Sequence, residues 1–378
     1  MLAPLQNNRS GAWVLSAALV CGAVMLSVAL DGSFTIPERP AEPLRAPVVR
    51  SAALPDWEPR PSVAVNGWLP TSRRDATPAF DVRRRTTEVG RILDMLPAVD
   101  DIASIDRPRL VAAEEAGWLT PGDEVIGIST GRHASRCYPL GILRWHNVVN
   151  DALDGRPIAI LYDPLSGATL GFSREVAGQV RRFGVSGKAY KGCALLYDRT
   201  NKSLWHPISG ACIAGPDAGG PAGLSHITVQ RTTWACWRRR HRRTEVLSRN
   251  TGLGRPYGTD PYARQDHGGP VDALAGMLGA LPADEEAGGG VEPGKLVLGV
   301  RLGQQAAACV PPDTRPEGPL RRNISLGGAR LRVTYDARTT NREFSVATSR
   351  RGDVTQLVCY WGAWRAAYPD TETIRLQD

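Results

Sequence analysis

The stretch EVIGISTGRHASRCYP at residues 124–139 returns without a gap as LVLGVRLGQQAAACVP at residues 296–311. Gly127 falls on Gly299, Gly131 on Gly303, Ala134 on Ala306, Cys137 on Cys309 and Pro139 on Pro311. Two more blocks keep the same order: GRPIAILYD (155–163) on GARLRVTYD (328–336), and WACWRRRHRRTE (234–245) on WGAWRAAYPDTE (361–372). An internal repeat governs the reading of a fold, so the body is read as two related halves. The β-branched runs VIGI and VLGV precede Gly-containing turns, which predicts hairpins. PIAILYD and LRVTYD predict further strands that end at an Asp. Each Trp-x-x-Trp block sets two rings on one helical face, read as core packing rather than ligand stacking. Strands followed by a helix make an α+β unit. The fold class expected is therefore α+β: a β-rich body of two related halves, preceded by an N-terminal apolar helix and a Pro-rich tether.

GAWVLSAALVCGAVMLSVAL (11–30) is about the length that crosses a bilayer, so residues 1–30 read as a membrane anchor or signal peptide. An uncleaved anchor is favoured because the run exceeds a usual signal-peptide core. Either way the rest of the chain is exported, which places the body on the extracytoplasmic side of the cell membrane. Residues 31–94 are dense in Pro and read as an extended tether. The first half then spans 95–268, a Gly-rich acidic connector 269–294, and the shorter second half 295–378. Only the first half carries FGVSGKAYKGCALLYDRTNKSLWHPISGACIAGP (183–216), and a segment peculiar to one copy is the natural place for a site.

The chain has 378 residues and a formal net charge of +8, but only four of its 46 basic residues are lysine. Arginine is scattered along the chain, unlike the concentrated stripe of a nucleic-acid footprint, so nucleic acid is not an expected partner. RRRHRR (238–243) reads as a solvated helix end, with weak attraction to anionic lipid as the alternative. Six cysteines lie beyond the apolar segment: Cys137, Cys193, Cys212, Cys236, Cys309 and Cys359. No Cys-x-x-Cys pair occurs, which leaves zinc-ribbon and thioredoxin chemistry without support. Disulfides and buried free thiols both stay open.

The ordered set VDDIASIDRPRLVAAEEAGWL, RCYPLGILRWHNVVND, the 183–216 segment, TTWACWRRRHRRTEVLS and TGLGRPYGTDPY resembles the bacterial domain of unknown function 3179 family, over roughly residues 98–375. The resemblance implies an exported or membrane-anchored protein and supplies no reaction. It also implies a Tyr-Cys-Pro-Leu-Cys-Gly motif where this chain has YDPLSG, with Asp163 and Ser166 in place of both cysteines. Two such thiolates suit a soft metal or a redox cycle; Asp and Ser suit neither.

Six residues are candidates for ligand binding: His146, Asp163, Ser166, Ser186, Trp205 and His206. Asp163 ends a strand, where an Asp commonly accepts from following amides, so it reads as structural. His146 and His206 suit metal ligation or proton transfer, with a satisfied core imidazole as the plainer reading. His146, His206 and Asp163 are the candidates for a metal site, and no cofactor is expected. Ser186 lies in Gly-Val-Ser-Gly, which departs from the Gly-x-Ser-x-Gly elbow of serine hydrolases. Two functions follow. The favoured one is a non-enzymatic binding or accessory module for a small ligand or protein. The other is a metal- or thiol-dependent enzyme whose cysteine pair is replaced here.

Overall fold

The computed structural model describes residues 59–71, 78–131, 134–262, 290–337, 343–348 and 354–377. The apolar N-terminal segment, the start of the Pro-rich stretch and most of the 269–294 connector lie outside the described residues. Among the described residues, no helix is long and apolar enough to cross a membrane.

Strands dominate the body, as the alternating and β-branched runs require. In chain order it runs through β1 (Leu93–Asp94), β2 (Glu124–Ser129), β3 (Ser135–Pro139), helix α1 (Leu140–His146) and a meander of β4 (Val148–Leu153), β5 (Arg156–Asp163) and β6 (Ala168–Ser173). Four strands follow, β7 (Phe183–Tyr190), β8 (Cys193–Asp198), β9 (Leu204–Trp205) and β10 (Cys212–Ala214). Next come β11 (Gln230–Thr233), α2 (Trp234–Arg240) and β12 (Glu245–Leu247). The later part holds β13 (Leu296–Leu302), β14 (Gln305–Val310), a second meander of β15 (Leu320–Leu326), β16 (Ala329–Asp336) and β17 (Glu343–Thr348), then β18 (Val354–Tyr360), α3 (Trp361–Ala367) and β19 (Glu372–Arg375).

Two sheets share one wiring. One contains β11-β2-β3-β12 and the other β18-β13-β14-β19. In both, the first two contacts are antiparallel and the last is parallel. Gly127 of β2 faces Trp237, and Gly299 of β13 faces Trp364. The indole N–H of Trp237 donates to Thr244 (3.0 Å) and that of Trp364 to Thr371 (2.8 Å). All four rings of the Trp-x-x-Trp blocks are buried.

The meanders cross over. β6 pairs with β18, so β4-β5-β6 extends the later sheet. In return, Glu343 at the start of β17 reaches β11 and α2, accepting from Gln230, from Thr232 (3.1 Å) and from Arg240 (2.6 Å).

The registers revise one match made from sequence. Gly127 lies opposite Cys137, but Gly299 lies opposite Ala308, not Cys309. The β2–β3 loop is 130–134, whereas β13 and β14 turn through 303–304, so the gapless alignment slips at the tip. Cys137 packs with Trp237, while Cys309 packs with Leu298 and Leu331 in a different core cluster.

The described residues of the Pro-rich stretch, 59–71 and 78–94, are part of the body rather than a tether. Arg60–Pro61 pairs with β1, which pairs with β7. Leu69, Phe80, Val82 and Ile92 are fully buried against Leu195, Tyr197 and Ile213. Burying such a side chain contributes roughly 1.5–3 kcal/mol, which outweighs the proline composition that suggested an extended chain. Buried charge pairs tie this sheet together: Lys188 meets Asp94 at 2.6 Å, and Arg181 meets Asp198 at 2.8 Å.

Candidate functional site

His146 ends α1 and is fully buried. Its Nδ1 lies 2.7 Å from the Ala103 carbonyl, which can only accept, so Nδ1 carries the proton. Nε2 then accepts from the Tyr257 hydroxyl at 2.7 Å. Tyr257 spends its hydrogen there, so the Thr251 hydroxyl donates to Tyr257. The result is a directed chain from Thr251 through Tyr257 and His146 to Ala103. Burial pushes the imidazole down to about 4, with the Arg255 charge acting the same way, so His146 is neutral near pH 7.

Tyr257 opens this chain to the surface. It lines a cavity of about 470 Å³ together with Trp118, Gly141, Arg144, Arg249 and Asp260. Arg144 is committed to Glu124 (3.1 Å) and Asp260 (3.0 Å). Arg249 is the lining cation without an ion pair among the described residues. The cavity can thus offer a free guanidinium, an aromatic wall and a phenol whose hydrogen bonds are already directed.

A second polar centre lies wholly inside. Asp163 ends β5, and both its oxygens are used. Oδ1 accepts from the Leu165 amide (3.0 Å), while Oδ2 accepts from the Ser166 hydroxyl (2.5 Å) and the Ala194 amide (3.1 Å). Burial raises its pKa to about 6 against the opposing pull of those donors. Two cysteines border this centre. The amide after Cys193 is the one bound to Asp163, and the amide after Cys359 donates to the Ser166 carbonyl (2.6 Å). Burial holds both thiols well above their usual range, and the Asp163 charge adds to it. The six described cysteines are all free and buried.

The remaining candidates are bound to other partners. Ser186 is buried and donates to the Leu195 carbonyl, so its hydroxyl is bound within the sheet. Trp205 is part of the main core with Trp361 and Trp364. His206 is buried, accepting from the Ser209 amide (3.2 Å), and its pKa is pushed down to about 3, chiefly by burial. His146, His206 and Asp163 therefore engage different partners. Among the described residues no group of three or more His, Cys, Asp or Glu side chains is placed to hold a metal ion.

A family model described as Protein of unknown function (DUF3179) matches residues 99–359. The chain belongs to this family. No curated protein and no solved structure matches it. Within this DUF3179 chain, His146 is brought against Tyr257, while Asp163 and Ser166 meet Cys193 and Cys359. Sequence reading singled out His146, Asp163 and Ser166 but not their partners. Tyr257 did sit in TGLGRPYGTDPY, one of the motifs carrying the resemblance. Its separation of 111 residues from His146 gave no local pattern to follow.

Proposed function

We propose that this protein is a non-enzymatic binding or accessory module, anchored at the cell membrane with its body on the extracytoplasmic side. Its ligand is a small polar molecule with an anionic group, received in the cavity lined by Tyr257 and Arg249. The observation that carries this reading is the Thr251–Tyr257–His146 chain ending at that cavity. A neutral His146 and a phenol with both partners fixed suit a rigid recognition wall. The apolar run at 11–30 supports the anchor.

The ancestry of the body is part of the proposal. Two copies of one unit explain the shared strand wiring, the Gly–Trp contacts and the equivalent indole hydrogen bonds. On that reading, the segment between β6 and β11 was added to the first copy alone.

The test is a thermal-shift screen of small anionic and polar metabolites against the full chain, repeated with Arg249→Ala. A compound that raises the unfolding midpoint only when Arg249 is present supports the cavity. Turnover of that compound, or stoichiometric metal lost on His146→Ala, would overturn the non-enzymatic reading.

The second reading, a thiol-dependent enzyme with an altered cysteine pair, draws on the meeting of Cys193 and Cys359 at Asp163 and Ser166. Fast alkylation of either thiol in the folded protein would favour it.

A further inference from the structure

The last turn of α2 and the residues after it carry Arg238, Arg239, Arg240, His241, Arg242 and Arg243. Two of these have a structural task. Arg240 pairs with Glu343 at 2.6 Å, and the His241 ring stacks on Trp237 with centroids 3.9 Å apart. The other four are exposed, and none has an ion pair among the described residues. Arg238 lies over the Trp234 ring at 5.8 Å, and Arg239 makes a long contact with the Cys236 sulfur at 3.7 Å.

The second helix shows what the fold itself requires. In α3 the corresponding stretch is Arg365-Ala366-Ala367-Tyr368-Pro369-Asp370. Tyr368 stacks on Trp364 as His241 does on Trp237, and the indole hydrogen bond is kept. The same helix end is therefore built without Arg239, Arg242 or Arg243. Their charge is therefore available to a ligand.

Two cavities flank these side chains. One, of about 530 Å³, has Leu119, Pro121, Trp234 and Ala235 as its apolar part, with Arg238, Arg239 and Arg242 as its cationic rim and Glu114 as its one acid. The other, of about 580 Å³, is lined by Arg239, Arg240, His241, Arg242 and Arg243 with Ser129 and Ser135. A cationic rim beside an aromatic and aliphatic floor matches an amphiphilic anion. We infer that this face binds the phosphate headgroup of an anionic phospholipid, with Trp234 and Leu119 against its apolar portion.

The experiment uses the full chain in neutral-detergent micelles, titrated calorimetrically with dihexanoyl-phosphatidylglycerol, dihexanoyl-phosphatidylcholine and inorganic phosphate. Phosphatidylglycerol should bind tightest, weaken with added salt and lose roughly tenfold or more in affinity in Arg239→Ala/Arg242→Ala. Arg365→Ala should leave binding unchanged. If the double variant shifts the unfolding midpoint, Arg242→Gln/Arg243→Gln reads the same loss. Binding indifferent to both pairs would overturn the site. Inorganic phosphate bound as tightly as phosphatidylglycerol would overturn the lipid assignment.

Discussion

Gly127 lies directly beneath the six-membered ring of Trp237: a Cβ at Gly127 would stand 2.3 Å from Cε3. Gly299 and Trp364 repeat the relationship at the same 2.3 Å. Neither glycine has an unusual φ, so the requirement is space rather than backbone freedom. Gly127→Ala and Gly299→Ala should each cost about 1–3 kcal/mol by overpacking. Gly90→Ala, where nothing lies within 4 Å, should be near neutral. Denaturant unfolding measures all three. A neutral Gly127→Ala would mean that the ring can move aside.

His146 should give the protein an acid-sensitive limb. Its folded pKa, about 4, is below the ordinary 6.5, so between these values the unfolded chain holds a proton that the folded chain does not. Its stability contribution is complete above 6.5 and is lost as pH falls toward 4. Asp163 acts in the opposite sense: its pKa is raised to about 6, so its contribution is complete below 3.8 and is lost as pH rises through 6. Between pH 7 and 5 the two contributions oppose each other. On going from pH 7 to 5, His146→Gln should lose less stability than the unaltered chain, by about 1–2 kcal/mol. An identical difference in both proteins would reassign the limb.

The thiols of Cys193 and Cys359 should be inert in the native state. Burial raises both far from thiolate formation, and the neighbouring Asp163 charge opposes it further. Iodoacetamide at pH 8 should label neither until denaturant is added. Mass spectrometry of the modified peptides distinguishes the outcomes.

Asp198→Ala should be among the most damaging single changes. It leaves the Arg181 guanidinium, itself buried, with only Asp217 at 3.7 Å. Removing one partner of a buried pair typically costs about 3–5 kcal/mol. The loss should be concentrated in the sheet built by β7–β10, and limited proteolysis should cut there first.

The strand pairs and the two tryptophan helices were legible in sequence because their periodicity is local and occurs twice. The end of the Pro-rich stretch was not. Leu69, Phe80, Val82 and Ile92 are too widely spaced to show a period, and their burial depends on β8–β10, more than a hundred residues later. Asp163 reads from sequence as a strand-ending acceptor of following amides, and it is held by the Leu165 amide and the Ser166 hydroxyl. What local reasoning could not supply was its third donor, the Ala194 amide. For the same reason, His146 was visible as a candidate while Tyr257 was not: contact between a helix end and a distant turn leaves no spacing rule. The slip at Cys309 came from a loop-length difference that identical neighbours on both sides concealed.

The exchange of meanders also bears on how the chain can be divided. Without β18, the β6 edge would present unsatisfied amides to solvent, and without β11 and α2, the Glu343 carboxylate would lose its three donors. A fragment ending near residue 262 or starting near 290 should therefore be insoluble when expressed by itself. Mixed during refolding, the two fragments should rescue each other as a nicked heterodimer.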